Sequence, residues 1–228
     1  MGRVSVLRIG FVVIAGALLL AGIYAAGVRG IADAEYFTAR TLLSGAAKAK
    51  RLPEPAELTT VEAVLRDSLA LEPSNPLFVE QLARAHEMRA ARLTGGDPAA
   101  RESLRQSLTR FRTAAVMRPG SPYVWLGIAA IKLRLDDMDF EFYGALQRAD
   151  RLGRWEPEIQ LGLADIGLAS WRLLAQPAKV LVLGAIVRGL PRQGREIRRL
   201  AAEHGSLARV CAEEVRLRGA ATGLCVKK

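Results

Sequence analysis

The sequence predicts an all-α protein: one N-terminal transmembrane helix, then a solenoid of about four helical hairpins, then a basic pair of C-terminal helices. Three observations predict it. An uncharged apolar run extends from Ile9 to Val28. Beyond residue 29 apolar side chains recur at helical spacing, as at Ile159, Leu163, Ile166 and Leu173, with no strand-like alternation. A Pro-x-x-Pro element followed by an amphipathic run also returns along the chain.

Composition agrees. The chain has 228 residues, 50% of them hydrophobic, which is too apolar for a disordered protein. Two cysteines exclude a cysteine-rich scaffold or a four-cysteine zinc site, and two histidines leave little material for His-based chemistry. The formal net charge of +10 is carried by 27 Arg and only 6 Lys. An Arg-, Ala- and Leu-rich chain reflects a GC-rich genome more readily than an anion-attracting surface.

Residues 1–8 form a short tail and residues 9–28 the anchor. Twenty residues at 1.5 Å each span about 30 Å, the thickness of the hydrocarbon core. A cleaved signal peptide is the alternative, with Ala32-Asp33-Ala34 as its cleavage triplet. Its apolar core is usually shorter, and Arg29 would fall between core and cleavage site. Length therefore favours a retained anchor. Arg3, Arg8 and the amino terminus favour a cytoplasmic N-terminus, with Arg29, Arg40, Lys48, Lys50 and Arg51 opposing on the far side. The expected location is the bacterial inner membrane, with the C-terminal domain periplasmic, which disfavours nucleic acid as a partner. Ala17, Ala21 and Ala25 share one helix face, a spacing that suits a homo-oligomer and that an alanine-rich segment also produces by chance.

Residues 29–58 read as a juxtamembrane helix, Glu35 to Lys50, and a Pro-containing loop, Leu52 to Pro55. Thr60 to Leu71 completes the first hairpin. Pro76–Leu93 and Ala99–Met117 form the second, Pro122–Leu135 and Phe140–Leu152 the third, Pro157–Ala175 and Ala178–Leu190 the fourth. The prolines mark helix starts, because a first-turn residue needs no N–H, and Ser74, Asn75 and Ser121 supply capping oxygens. Pro122, Pro157 and Pro191 are spaced by 35 and 34 residues; Pro76 to Pro122 is 46, the excess falling in the Gly95-Gly96 loop. One hairpin cannot bury its whole apolar face, so successive hairpins stack.

These residues resemble the tetratricopeptide repeat family. Trp125, Ile128 and Ala129 match the bulky, Leu-like and small positions of one repeat, and Val79, Leu82 and Ala83 those of the preceding one. Leu71-Glu72-Pro73 and Met117-Arg118-Pro119 look like repeat ends, while Phe142 stands where a small residue is usual. The resemblance covers residues 59–190 and implies a protein-binding scaffold. The layout, with WEPEIQLGLADIGLASW (Trp155–Trp171) and HGSLARVCAEE (His204–Glu214), is also similar to small accessory proteins of bacterial exopolysaccharide clusters. That resemblance implies a role in polymer synthesis or export, with an acidic polysaccharide as a further partner.

The sequence nominates no catalytic, metal-binding or cofactor-binding residue. The acids from Asp136 to Glu141 lack the central Gly of a calcium loop and read as a turn, with Asp139 capping the next helix. His86 and His204 have no partner at ligand spacing, and no phosphate loop, Rossmann fingerprint or nucleophile elbow occurs. An enzyme with carboxylates meeting in space, such as a glycan-modifying hydrolase, is the rival class. Phe78, Tyr123 and Trp125, near helix starts, are candidate partner contacts or core aromatics, with the core favoured. Val180 to Val187 reads as a buried helix, a membrane-surface helix being the alternative. Residues 191–228 form the basic terminal region, with helices over Arg192 to Glu203 and Ser206 to Arg218 and with Lys227 and Lys228 at its end. Arg188, Arg192, Arg195, Arg198 and Arg199 are candidate anion-binding residues, set against a solvated capping face. Cys211 and Cys225 pair as a disulfide in an oxidising compartment, with Gly219 and Gly223 between them letting the tail turn back onto the last helix, and stay reduced in the cytoplasm. The expected protein is a non-enzymatic adaptor that binds envelope proteins through its repeats and the lipid bilayer through residues 9–28. An assembly factor for division, secretion or cytochrome maturation is the alternative.

Overall fold

A computed structural model describes residues 2–94, 96–218, 224 and 225. The described residues form nine helices and no strand. The chain divides into two compact units, one ending at Arg92 and one beginning at Leu93.

The first unit holds α1 (Gly2–Lys48), α2 (Pro55–Leu71) and α3 (Pro76–Ala91). The expected anchor and juxtamembrane helix are one continuous 47-residue helix, about 70 Å long. No proline interrupts Gly27-Val28-Arg29-Gly30, so nothing stops the helix where it becomes polar. The membrane-length part is apolar enough to cross a bilayer, and none of its most apolar window is buried against protein. The following part is different. Ala32, Ala39 and Ala46 are buried at a seven-residue spacing. Tyr36, Leu42 and Leu43 flank this seam and pack with Val61 and Leu65 of α2 and Leu82 and Ala85 of α3. The alanines let α2 come close enough for Ser68 Oγ to donate to the Ala32 carbonyl at 3.2 Å.

Helix α2 begins at Pro55, five residues ahead of the expected Thr60, because Pro suits the first helical position. Its start is tied down. Arg51 donates two 2.7 Å hydrogen bonds to the Glu57 carboxylate, which also accepts from the Glu54 N–H at 2.6 Å. The Arg51 guanidinium, then the Glu54 N–H, hold the Glu57 carboxyl down to about 2. Arg92 reaches back to the Pro53 carbonyl at 3.2 Å and to Glu54 at 2.9 Å.

The second unit contains α4 (Pro98–Met117), α5 (Pro122–Arg134), α6 (Phe140–Leu152), α7 (Pro157–Ser170), α8 (Gln176–Glu203) and α9 (Leu207–Arg218). Pro opens α4, α5 and α7, as the repeat predicts. Helix α5 packs on α4, α6 and α7, and α7 packs on α8. The core is Phe111, Ile128, Phe142, Leu146, Ile159, Leu163, Val182 and Ile186. Two glycines permit the close approach. A Cβ on Gly127 would stand 2.5 Å from the Phe111 ring, and one on Gly167 would strike Val182.

Three expectations change here. Pro191 does not open a helix: it lies inside α8, and the backbone leaves helical geometry two residues later at Gln193 (φ −129°, ψ 28°). The expected helices Ala178–Leu190 and Arg192–Glu203 are thus two halves of one kinked helix. Helix α7 stops at Ser170 instead of Ala175. Asn75 caps α3 by accepting from the Leu77 N–H at 3.1 Å, whereas Ser121 makes no capping bond.

Candidate functional site

The second unit carries an open groove of about 500 Å³ where the α6–α7 turn meets the first half of α8. The turn is fixed by Gly153, since a Cβ there would meet Ile159 at 2.7 Å and Pro122 at 2.8 Å. The Arg154 carbonyl then accepts from Gln160 Nε2 at 2.8 Å and from Arg188 Nε at 3.3 Å. With its backbone pinned, the turn presents two side chains outward: the Arg154 guanidinium and the Trp155 indole, which is 71% exposed.

The opposite wall follows from the amphipathicity of α8. Val182, Leu183, Ala185 and Ile186 are buried. Val180, 54% exposed, and Val187 turn an aliphatic surface toward the groove. The expected buried helix Val180–Val187 is thus core on one face and groove wall on the other. Asp150 closes the polar end by accepting from Arg188 Nη2. Burial pulls the Arg188 guanidinium below its ordinary value; Asp150 opposes this and the nearby Arg154 charge reinforces it. Two cations here face one carboxylate. The arrangement suits an extended or flat partner surface with an apolar face and some negative charge.

The nominated residues fall elsewhere or into other roles. Phe78 is 1% exposed, its ring 5.2 Å from that of Tyr36, so it belongs to the core. Trp125 donates from Nε1 to the Pro119 carbonyl at 2.7 Å and carries Arg148 over its ring at 4.4 Å. Tyr123 is half-buried. Of the five arginines, Arg188 lines the groove, while Arg192, Arg195, Arg198 and Arg199 are exposed along the second half of α8. Arg199 pairs with Glu203 at 3.3 Å. Trp155 is the residue not nominated as a contact. Its signal was an aromatic side chain set in a Gly-Arg-Trp-Glu-Pro turn, where no core awaits it.

The cysteines meet: Cys211 and Cys225 are joined, with Cα atoms 5.5 Å apart. Gly219 and Gly223, expected to turn the tail back, and Lys227 and Lys228 lie outside the described residues. The acidic turn has a purpose that spacing did not reveal. Lys132 is 1% exposed, and its ammonium lies 2.6, 2.9 and 3.1 Å from Asp137, Asp139 and Glu141. Asp139 also caps α6 through the Phe142 N–H at 3.1 Å. Buried Glu62 similarly gathers Arg89 at 2.7 Å and Arg66 at 3.0 Å. His204 Nε2 stands 2.8 Å from Asp165. Among the described residues no group of three or more His, Cys, Asp or Glu has a metal-holding arrangement.

Comparison with protein-family models gives no match, and comparison with curated proteins gives none either.

Proposed function

We propose that this protein is a non-enzymatic, membrane-anchored adaptor of the bacterial cell envelope. Helix α1 holds it in the inner membrane with the N-terminus cytoplasmic, and the helices beyond work in the periplasm. The observation that carries the reading is the groove beside Trp155: a large indole and an aliphatic wall left open on a rigid turn. An exposed aromatic beside Arg is the composition of a binding hot spot. The joined cysteines support an oxidising compartment. The resemblance to tetratricopeptide repeats supports protein partners.

Exopolysaccharide synthesis or export is the narrower setting, supported by the resemblance of Trp155–Trp171 and His204–Glu214 to accessory proteins of those clusters. The four exposed arginines of α8 would then face an acidic polymer. The deciding experiment places a photo-crosslinking residue at Trp155 and at Val180 in cells. The expected result is a crosslink to one envelope protein, lost when Arg154 is changed to Glu. Absence of any adduct at either position, or catalytic turnover by the purified chain, overturns the adaptor reading. A reporter fused after Lys228 tests the topology, since it is active only if exported.

A further inference from the structure

We propose that a second groove, at the foot of the first unit, holds the headgroup of an amine-bearing zwitterionic phospholipid, phosphatidylethanolamine. Arg29 would meet its phosphate and Glu72 its ammonium. The inference rests on α1 crossing the bilayer, and the test below separates the two.

The groove, about 640 Å³, lies between α1 and the α2–α3 turn. Its depth in a membrane is fixed by the chain itself. The apolar run of α1 ends at Val28, and Arg29 is its first following charge. The groove therefore stands where hydrocarbon gives way to headgroups. The α2–α3 turn is held at that level by the Ser68–Ala32 hydrogen bond and by the Arg29–Glu72 ion pair at 3.3 Å.

The lining is divided in the same sense. Tyr24, 75% exposed, Ala25, Val28 and Leu71 form an apolar end that suits the start of an acyl chain. Arg29, Glu72, Ser74 and Asn75 form a polar end. The Arg29 side chain is 74% exposed, and its Nε lies 3.3 Å from a Glu72 oxygen. The Glu72 carboxylate accepts from Asn75 Nδ2 at 2.9 Å on its other oxygen, which leaves lone pairs on both. One cation and one carboxylate, each with bonding capacity left over, thus sit side by side.

Charge complementarity selects among lipids. An anionic glycerol headgroup offers Arg29 a phosphate but sets no cation against Glu72. A choline headgroup offers a cation without N–H donors. An ethanolamine headgroup supplies a phosphate acceptor and three N–H donors on a short spacer, so both groups form charge-assisted hydrogen bonds.

The test reconstitutes the full-length chain in vesicles of equal phosphatidylethanolamine, phosphatidylcholine and phosphatidylglycerol. The chain is floated, extracted in mild detergent, and its retained lipids are counted by native mass spectrometry. Phosphatidylethanolamine should be enriched roughly fivefold over either competitor, the upper end of what one solvent-exposed ion pair contributes. Arg29→Gln, a change at an exposed side chain, should lower retention of all three. Glu72→Gln should abolish the preference for ethanolamine. Equal retention of the three lipids, enrichment of phosphatidylglycerol, or an ethanolamine preference surviving in both variants overturns the proposal. A chain that floats without selectivity refutes the groove alone; a chain that fails to float removes the membrane reading as well.

Discussion

Three glycines of the second unit should respond in opposite senses to the same substitution. A Cβ on Gly144, in α6, meets nothing within 4 Å. Gly144→Ala should therefore add only helix propensity and stabilise by about 0.5–1 kcal/mol. A Cβ on Gly167, in α7, would lie 2.5 Å from Val182 Cγ2 and 2.9 Å from Val182 Cβ, and closest of all to Cγ1. Ordinary contact begins near 3.4 Å. Val182 is β-branched and fully buried, so no rotation clears both methyls. Helices α7 and α8 must separate, which costs about 1–3 kcal/mol and outweighs the propensity gain. Gly162 is intermediate, because its obstacle is the flexible end of Leu126 at 2.5 Å, and its change should stay within about 1 kcal/mol of zero. Thermal unfolding of the full-length chain in micelles, followed by circular dichroism, should place the Gly144→Ala and Gly167→Ala midpoints about 5–10 °C apart. Equal stability of the two would show that α7 and α8 are not in close contact, and the groove wall built on α8 would lose its support.

Reducing the Cys211–Cys225 bond, which spans 14 residues, should remove about 3 kcal/mol in the chain-entropy account, and the unreduced protein should resist alkylation; full labelling without reductant would refute the pairing. Burial would raise the Asp139 carboxyl, but hydrogen bonds from Lys132 and the Phe142 N–H hold it low; Arg112, then Lys132, hold Glu141 low. Their stabilisation is complete above the ordinary carboxylate range and is lost as pH falls through the depressed values, so Lys132→Met should flatten the acid limb of unfolding; an unchanged limb would count against the cluster. Asn75→Ala should cost about 1 kcal/mol through the lost cap of α3, with Ser121→Ala losing no cap, as denaturant titration would read.

The fold class was legible because two signals are strong in any single sequence: twenty uncharged apolar residues, and prolines that can only stand in first turns or break helices. The same rule misassigned Pro191. Locally it is indistinguishable from Pro157, yet packing of both halves of α8 keeps it inside a kinked helix. The break between anchor and juxtamembrane helix was expected from a change in polarity, but polarity does not end a helix when no backbone group is lost. The core role of Phe78 depends on Tyr36, 42 positions earlier, and the role of Lys132 on acids that read as an ordinary turn. Trp155 was visible as a residue but not as a contact, because exposure follows from the Gly153 fit against Ile159 and Pro122, which only three-dimensional packing supplies.

The continuity of α1 links membrane depth to the position of the α2–α3 turn. Ala32, whose carbonyl receives Ser68, lies three residues beyond Arg29, less than one helical turn. A rigid helix therefore fixes both the level and the direction of the turn relative to the end of the apolar run. Inserting one alanine after Gly30 would advance the body by about 1.5 Å but rotate it by about 100° relative to the anchor. Arg29 and Glu72 would then no longer face each other, although the apolar run and the Ala32–Ala46 seam would both be intact. Inserting a whole heptad would restore the facing but lift the turn by about 10 Å, out of the headgroup layer. A groove that works only at one azimuth and one depth requires the unbroken helix that the structure has, whereas a flexible tether after Val28 would make both quantities indefinite.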